Sequence, residues 1–136
     1  MSNIEQTLSI IKPDAIERNL QDKIKQEFTS KNFEIIKEKK IHMSKEEAEQ
    51  FYKVHESKPF YNDLCTYLSS GPIVVMTLQR ENAVMENRKL MGATNPLDAE
   101  EGTLRRKYGI SIDKNSVHGS DSPENAKIEL DFFFNN

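Results

Sequence analysis

The most apolar run in the chain, Pro72-Ile73-Val74-Val75-Met76-Thr77-Leu78, constrains the fold more than any other stretch. It has the length of one strand and is rich in β-branched residues, which fit a pleated surface. Because apolar residues follow one another with little polar alternation, both faces of this strand are expected to be buried. The run therefore predicts a central strand around which the other elements pack.

Three further strands are predicted beside it. The stretch from Thr7 to Lys12 is interpreted as a strand whose inward face ends in Lys12. The charged stretch from Phe33 to Met43 is typical of a solvated sheet edge that discourages aggregation. A short strand is expected at Val117, which gives a sheet of four strands.

Five helices are predicted from apolar residues at helical spacing. The apolar stripes are Leu20/Ile24/Phe28, Ala48/Phe51/Tyr52/His55, Tyr61/Leu64/Cys65/Leu68, Ala83/Val84/Asn87/Met91 and Ala126/Leu130/Phe133/Phe134. Ser44 and Glu47 predict a capping box at the start of the second helix, and Ser122 followed by Pro123 predicts the start of the last. The fourth helix is expected to run from about Glu81 to Met91.

The order of these elements indicates an α+β fold. Two βαβ halves with helices on one face of a four-stranded antiparallel sheet, the ferredoxin-like arrangement, account for the pattern, with a helical hairpin added. Residues 92–114 show little periodicity and are predicted as a long loop before the last short strand, and loops of that length are usually functional or disordered. At 136 residues, the chain is expected to be a single domain over 1–136.

Composition excludes several classes of function. The net charge is −3, whereas a sequence-independent nucleic-acid binder needs a basic excess to neutralise phosphates. No signal peptide is evident, and no apolar run approaches the roughly 20 residues that cross a bilayer. Cys65 is the only cysteine, so neither an intrachain disulfide nor a cysteine zinc cluster is possible. A cytoplasmic location with no membrane and no required nucleic-acid partner is expected.

His118 lies at the predicted junction between the short strand and the last helix, beside Gly119. Free N–H groups at a helix start attract anions such as phosphate, and a glycine lets the backbone come close. An ordinary imidazole, with a pKa of about 6.5, is largely neutral at pH 7 and can act as a nucleophile or base. A single histidine beside glycine and serine is also commonly an ordinary loop residue, so on these residues alone both interpretations stand.

Familiar nucleotide motifs are missing, since the sequence contains neither G-x-x-x-x-G-K-[ST] nor G-x-G-x-x-G. Phe60, at a predicted turn, would be exposed unless something stacks on it. Glu129 could hold one ring nitrogen of His118 and fix its tautomer. The other candidates are side chains that bind anions: Lys12, His55, Arg88, Thr94 and Arg105. Together these groups fit transfer of a phosphoryl group through a histidine.

Six short motifs are spread over nearly the whole chain: Ile11-Lys12-Pro13-Asp14, Lys58-Pro59-Phe60, Ser70-Gly71-Pro72, Leu90-Met-Gly-Ala-Thr94-Asn-Pro96, Gly102-Thr-Leu-Arg105 and Asn115-Ser-Val-His118-Gly-Ser-Asp-Ser122. Together they resemble the nucleoside diphosphate kinase family. The resemblance implies transfer of the terminal phosphate from ATP and other nucleoside triphosphates to nucleoside diphosphates, by a ping-pong mechanism through phosphorylated His118. It also implies Mg²⁺, broad base specificity and a homo-oligomer, either a tetramer or a hexamer.

The same resemblance implies a role for each matching position. The implied catalytic residues are His118, Lys12, and Glu129 and Ser120, which would orient the histidine ring. The implied phosphate contacts are Lys12, Tyr52, His55, Arg88, Thr94 and Arg105; the sugar contacts are Lys12 and Asn115; the base contacts are Phe60, Leu64 and Ile112. Mg²⁺ is expected on the nucleotide phosphates and waters, with no protein ligand set of its own.

The sequence departs from the family pattern at its periphery. Arg106-Lys107 follows Arg105 where many members carry a small or acidic residue, and the sequence stops at Asn136, which leaves the oligomer type open. A non-catalytic nucleotide-binding protein of this fold is a second hypothesis, although all implied catalytic positions are filled. An RNA-binding domain of the RRM type is a third, but it needs aromatic residues on its central strands, and residues 73–78 contain none.

Overall fold

A computed structural model describes residues 4–111 and 114–134, the side chain of Val54 excepted. Its strands are β1 (Ile4–Ile11), β2 (Glu34–Ile41), β3 (Ile73–Glu81) and β4 (Val117–Gly119). Its α-helices are α1 (Pro13–Glu17), α2 (Gln21–Ser30), α3 (Lys45–Phe51), α4 (Tyr61–Leu68), α5 (Ala83–Met91), α6 (Leu104–Tyr108) and α7 (Pro123–Phe134). Single 3₁₀ turns occupy Lys53–His55 and Pro96–Asp98.

The four strands form one sheet in the order β2-β3-β1-β4, and every neighbouring pair is antiparallel. This confirms the predicted α+β, ferredoxin-like sheet, with the apolar β3 inside it. β2 lies at one edge, is largely exposed, and has an irregular register between Ile35 and Lys37. An irregular, charged edge of this kind discourages pairing with another sheet.

Helices cover both faces of the sheet, so the expectation that they lie on one face is wrong. Successive residues of β3 point to opposite faces, and both sets are buried. Val74 and Met76 belong to a core cluster with residues of α1, α2 and α5. Ile73 and Val75 belong to a second cluster with residues of α3, α4 and α7. The helical hairpin and the last helix therefore cover the face that two βαβ halves alone would leave open.

The fourth predicted helix, α5, begins later than its sequence pattern indicated. β3 continues to Glu81, and Asn82 has a left-handed backbone, with φ of 51°, that turns the chain into the helix. Asn82 makes no side-chain cap. The cap comes from β1, where Glu5 Oε1 accepts a hydrogen bond of 2.9 Å from the Val84 N–H. A carboxylate in this position also favours the positive end of the helix dipole.

Two five-residue helices were not predicted. α1 follows β1 directly, with Pro13 at its start, where only the end of a strand was expected. α6 lies within residues 92–114, the predicted loop, and begins where the Thr103 hydroxyl accepts a hydrogen bond from the Arg106 N–H. One turn of helix shows too few apolar repeats for periodicity to reveal it.

The predicted caps of the longer helices are confirmed. Ser44 and Glu47 form the reciprocal capping box, with hydrogen bonds of 3.1 and 2.9 Å. At the start of α7, Ser122 Oγ accepts a hydrogen bond of 3.1 Å from the Asn125 N–H. This second cap fixes where the chain turns into α7 from β4, the strand that carries His118.

Candidate active site

One cleft of about 750 Å³ collects most of the side chains that the sequence singled out. Its lining includes Lys12, Tyr52, His55, Phe60, Leu64, Arg88, Thr94, Arg105, Asn115 and His118. They come from the end of β1, from β4 and the segment before it, from the connection between α3 and α4, from helices α4, α5 and α6, and from the segment after α5. Ile112, a predicted base contact, lies outside the described residues.

The orientation of His118 is set by a carboxylate on α7. His118 is the middle residue of β4, opposite Ile10 of β1, and its side chain is 20% exposed. Its Nε2 atom lies 3.1 Å from Glu129 Oε1. Because an ionised carboxylate can only accept a hydrogen bond, Nε2 must carry the hydrogen, and the neutral ring then keeps its lone pair on Nδ1. Nδ1 is thus the basic nitrogen of a side chain that lines the cleft.

Glu129 is itself held by Ser120. The buried Ser120 hydroxyl donates to Glu129 Oε1 over 2.9 Å and accepts from the Leu8 N–H over 3.3 Å. The same carboxylate oxygen therefore meets both the serine and the histidine. The three residues predicted to act together, His118, Glu129 and Ser120, do form one connected group.

Phe51 also contacts the histidine, and the sequence did not single it out as a site residue. Its ring lies edge-on to His118 with centroids 5.4 Å apart, and it packs in turn against Phe132 and Phe133. Tyr52 is farther from His118, at 6.4 Å. An aromatic residue on an apolar helical stripe is interpreted as core, and its place beside Tyr52 was the one available signal.

Lys12 and Asn115 meet at the buried end of the cleft. Lys12 is only 5% exposed, and its Nζ donates to Asn115 Oδ1 over 2.9 Å. The Asn115 amide nitrogen donates to the Thr94 carbonyl over 3.1 Å. These contacts join the end of β1, the segment after α5 and the segment before β4.

Arg105 brings a largely buried positive charge to the cleft. Its guanidinium donates to the carbonyls of Gly92 and Val117, each over 3.0 Å. Burial lowers the pKa of Arg105 to about 10, so it stays protonated at pH 7. Its buried Nε has no hydrogen-bond partner within 4–111 and 114–134. A cation with an unused donor in a cleft suits an anionic ligand.

α5 presents one side to the cleft. Arg88 was predicted there, and its guanidinium lies 3.5 Å from the Asp121 carbonyl. Met85 and Lys89 line the same cleft, three residues before and one after Arg88, and neither was predicted from the sequence. Helical spacing from Arg88 could have identified Met85. Asp121 is the one acidic residue among the described residues that line the cleft.

Tyr52 and His55 carry little charge at neutral pH. Burial, followed by the nearby Glu129 carboxylate, raises the pKa of Tyr52, which therefore remains a phenol. Burial, followed by the positive charge of Lys58, lowers the pKa of His55. The positive potential of the cleft thus comes from lysine and arginine.

Two absences apply to the part of the chain that the structure describes. Among those residues, no group of three or more His, Cys, Asp or Glu side chains could hold a metal ion. None of the helices found there has both the length and the apolar character that crossing a membrane requires.

The fold and the cleft together define an α+β protein whose cleft contains lysines, arginines and a histidine held by a carboxylate, a class suited to phosphorylated ligands. The family model described as nucleoside diphosphate kinase matches residues 5–136. The nucleoside diphosphate kinase of Geotalea uraniireducens (strain Rf4) is 53% identical over 131 residues, which are 96% of each chain. That of Persephonella marina is 53% identical over 132 residues, which are 97% of this chain and 94% of its relative.

Solved structures agree with these matches. The Aquifex aeolicus nucleoside diphosphate kinase superposes with a TM-score of 0.96 at 36% identity, over 98% of this chain and 97% of that one. The nucleoside diphosphate kinase from Encephalitozoon cuniculi superposes with a TM-score of 0.94 at 38% identity, over 97% of this chain and 90% of that one. The chain belongs to the nucleoside diphosphate kinase family, and it is an enzyme that transfers phosphate between nucleotides.

Proposed function

We propose that the chain transfers the terminal phosphate of a nucleoside triphosphate to a nucleoside diphosphate in two half-reactions, through phosphorylated His118. The observation that carries this proposal is the contact of 3.1 Å between His118 Nε2 and Glu129, which leaves Nδ1 as the nucleophilic nitrogen beside the cleft. The two nucleotides would occupy the same cleft in turn.

In the first half-reaction, the Nδ1 lone pair attacks the γ-phosphorus of the triphosphate. The bond from that phosphorus to the bridging β-phosphate oxygen breaks, and the nucleoside diphosphate leaves with the bonding electrons. The ring now carries the phosphoryl group and a positive charge, which the Glu129 carboxylate stabilises through Nε2–H. In the second half-reaction, a β-phosphate oxygen of another diphosphate attacks the phosphorus, and the N–P bond breaks.

Lys12, Arg88 and Arg105 would stabilise the negative charge that spreads over the phosphoryl oxygens during transfer. Tyr52, His55 and Thr94 would bind phosphate oxygens as neutral donors. Membership of this kinase family implies a divalent cation, and we propose Mg²⁺ bound to the nucleotide phosphates, whose charge it would neutralise. The described lining fits that arrangement, since all of its charged side chains except Asp121 are lysines or arginines and Asp121 is its one carboxylate.

The base would be held by stacking. Phe60 is 44% exposed immediately before α4, and Leu64 lies one turn further along that helix. Both line the cleft, so a base could lie against an aromatic face and an aliphatic side chain. Every base has a π-face, so such a site discriminates weakly, and broad base specificity follows. Lys12 and Asn115 would bind the sugar hydroxyls.

The direct test is transfer of labelled phosphate. Incubation with γ-labelled ATP and Mg²⁺ should leave acid-labile, base-stable label on the protein, and an unlabelled nucleoside diphosphate should remove it. His118→Ala should abolish labelling. His42→Ala is the matched control, because His42 binds the Ser69 carbonyl, does not line the cleft and should not affect labelling. Label that persists in His118→Ala would contradict the assignment.

Assembly and location stay predictions from the sequence. A homo-oligomer, tetrameric or hexameric, can be tested by a solution mass measurement. A cytoplasmic location and the single-domain interpretation likewise stay predictions.

A further inference from the structure

Asp14 is a buried carboxylate that the proposed chemistry does not use. It is 4% exposed and lies in α1, two residues after Lys12. The Tyr67 hydroxyl donates to its Oδ1. Arg18 Nη2 donates to its Oδ2 over 3.0 Å. The Asp14 N–H donates to the Tyr67 hydroxyl over 2.9 Å, so this residue is joined to α4 by side chain and backbone alike.

Ser116 is the fourth member of this group. Its hydroxyl lies 2.8 Å from Asp14 Oδ2 and 2.9 Å from the Tyr108 carbonyl, and its one hydrogen can serve only one of them at a time. Arg18 Nη2 also donates to the Tyr108 carbonyl and to Ser116 Oγ, the latter over 3.1 Å, so Arg18 contacts the same serine as Asp14. We call Asp14, Arg18, Tyr67 and Ser116 the Asp14 clamp.

The backbone of Ser116 needs such a restraint. It has φ of 74°, a left-handed conformation that a non-glycine residue adopts only when its surroundings hold it there. In this conformation its carbonyl accepts a hydrogen bond of 2.8 Å from the Lys12 N–H. Losing the clamp would therefore free a strained residue to relax, and this backbone bond would change with it.

The clamp is adjacent in sequence to both polar residues at the buried end of the cleft. Ser116 follows Asn115 directly, and Lys12 precedes Asp14 by two residues. The bond of 2.9 Å between Lys12 Nζ and Asn115 Oδ1 thus joins the same two segments as the contact of 2.8 Å between Asp14 and Ser116. Burial, followed by the hydrogen bond to Asp14, raises the pKa of Tyr67, so its hydroxyl remains a donor across the neutral range.

We propose that Asp14 is a positioning residue for the sugar end of the nucleotide site, which acts through Ser116 to hold Lys12 and Asn115 at the separation that sugar hydroxyls require. The inference rests on the proposed function, in which these two side chains bind the sugar. It assigns Asp14 no contact with the nucleotide. Its effect is on geometry, and small misplacements of positioned groups can cost up to about 10²-fold in rate.

The test compares two phosphate acceptors, ADP and 2′,3′-dideoxy-ADP, by kcat/KM. The acceptor ratio is kcat/KM for ADP divided by kcat/KM for 2′,3′-dideoxy-ADP. In the wild-type chain it measures how much the sugar hydroxyls contribute to transfer. In Asp14→Asn, which replaces an oxygen acceptor by a donor without changing size, the ratio should fall by about tenfold, within the range that misplacement produces. A merely structural role would lower the active fraction for both acceptors alike and leave the ratio unchanged.

A second variant covers the case in which Asp14→Asn fails to fold. Ser116→Ala keeps the contacts of Asp14 with Tyr67 and Arg18 but removes the link to the cleft, and it should lower the ratio in the same way. Asn115→Ala shows the change expected when a sugar contact is removed outright. Tyr61→Phe is the matched control on α4, since its hydroxyl donates to the Glu49 carbonyl, away from Asp14, and the ratio should not change.

The outcomes distinguish a failure of the proposed function from a failure of the positioning role of Asp14. If the wild-type chain forms no phosphoprotein with labelled ATP, the proposed function fails. If the phosphoprotein forms but the acceptor ratio is the same in wild type, Asp14→Asn and Ser116→Ala, the positioning role of Asp14 is overturned. The same holds if the wild-type chain does not distinguish the two acceptors. A lower ratio in either variant with an unchanged ratio in Tyr61→Phe supports it.

Discussion

His118 of β4 and Glu129 of α7 are joined by a contact of 3.1 Å between Nε2 and Oε1, and the same carboxylate oxygen accepts from Ser120. A single acidic residue thereby fixes both the tautomer and the rotation of the imidazole. Phe51 contacts the same ring edge-on, with the ring centroids 5.4 Å apart.

Replacing Glu129 by glutamine tests this relationship. The amide oxygen can still accept from Nε2–H, so the ring should keep its tautomer, but the charge that stabilises a phosphorylated ring is lost. Phosphorylation of His118 should slow by about 10²-fold, the scale of a removed electrostatic partner, when single-turnover rates are measured by rapid quench. Glu124→Gln, at an exposed glutamate in the first turn of α7, should leave the rate unchanged. Equal rates in both variants would show that the charge of Glu129 plays no part.

Phe60→Ala should weaken binding of all bases together. A stacked base contributes about 1–3 kcal/mol, so Kd should rise by roughly tenfold for a purine and a pyrimidine diphosphate alike, measured by calorimetry. Leu97→Ala is a control, because Leu97 is 80% exposed and does not line the cleft. A loss confined to one base would mean that the pocket reads base edges instead.

Gly119→Ala should strain the contact between β4 and α5. A Cβ at Gly119 would lie 2.4 Å from Asn87 Nδ2 and 2.6 Å from Met91 Cε, so both of these buried side chains must move. Overpacking of this kind costs about 1–3 kcal/mol, and the free energy of unfolding in urea should fall accordingly. At Gly71 the nearest atom to an added Cβ is 3.6 Å away, so Gly71→Ala should be tolerated. Equal stability of the two variants would contradict this interpretation of the packing.

His55 should titrate below the ordinary value of about 6.5 for histidine. Burial lowers its pKa most, followed by the charge of Lys58, and a base with a lowered pKa binds fewer protons when folded than when unfolded. Its contribution to stability is therefore present above about pH 6.5 and is lost as the pH falls through the folded pKa. Lys58→Gln should shift the NMR titration midpoint of His55 upward, whereas Lys53→Gln should not. A midpoint at or above 6.5 in wild type would contradict this expectation.

Much of the fold follows from local patterns, and the errors have specific causes. The β3 run correctly predicted a strand buried on both faces. The predicted topology nevertheless had helices on one face only, because the helical hairpin was treated as an addition and not as the cover of the second face. α1 and α6 were missed because five residues give no measurable period. α5 was misplaced at its start because Glu5, which caps it, is remote in sequence.

The residues of the candidate site were likewise predicted from the sequence only in part. Charged and polar members such as Arg105 can be proposed from sequence, because their chemistry points to phosphate. Spacing alone does not show that Lys12 meets Asn115, residues far apart in the chain, and family resemblance supplied that pairing. Phe51 and Met85 were missed because apolar side chains on a helix are assigned to the core until the structure shows what they contact.

β4 has three residues, pairs with β1 and ends the sheet. His118 therefore lies on a short edge strand, and the contacts of its ring with Glu129 and Phe51 add to the pairing of β4 with β1. Short rim strands of this kind are the first to fray. On warming, phosphate-transfer activity should accordingly be lost at a lower temperature than the one at which the other three strands unfold.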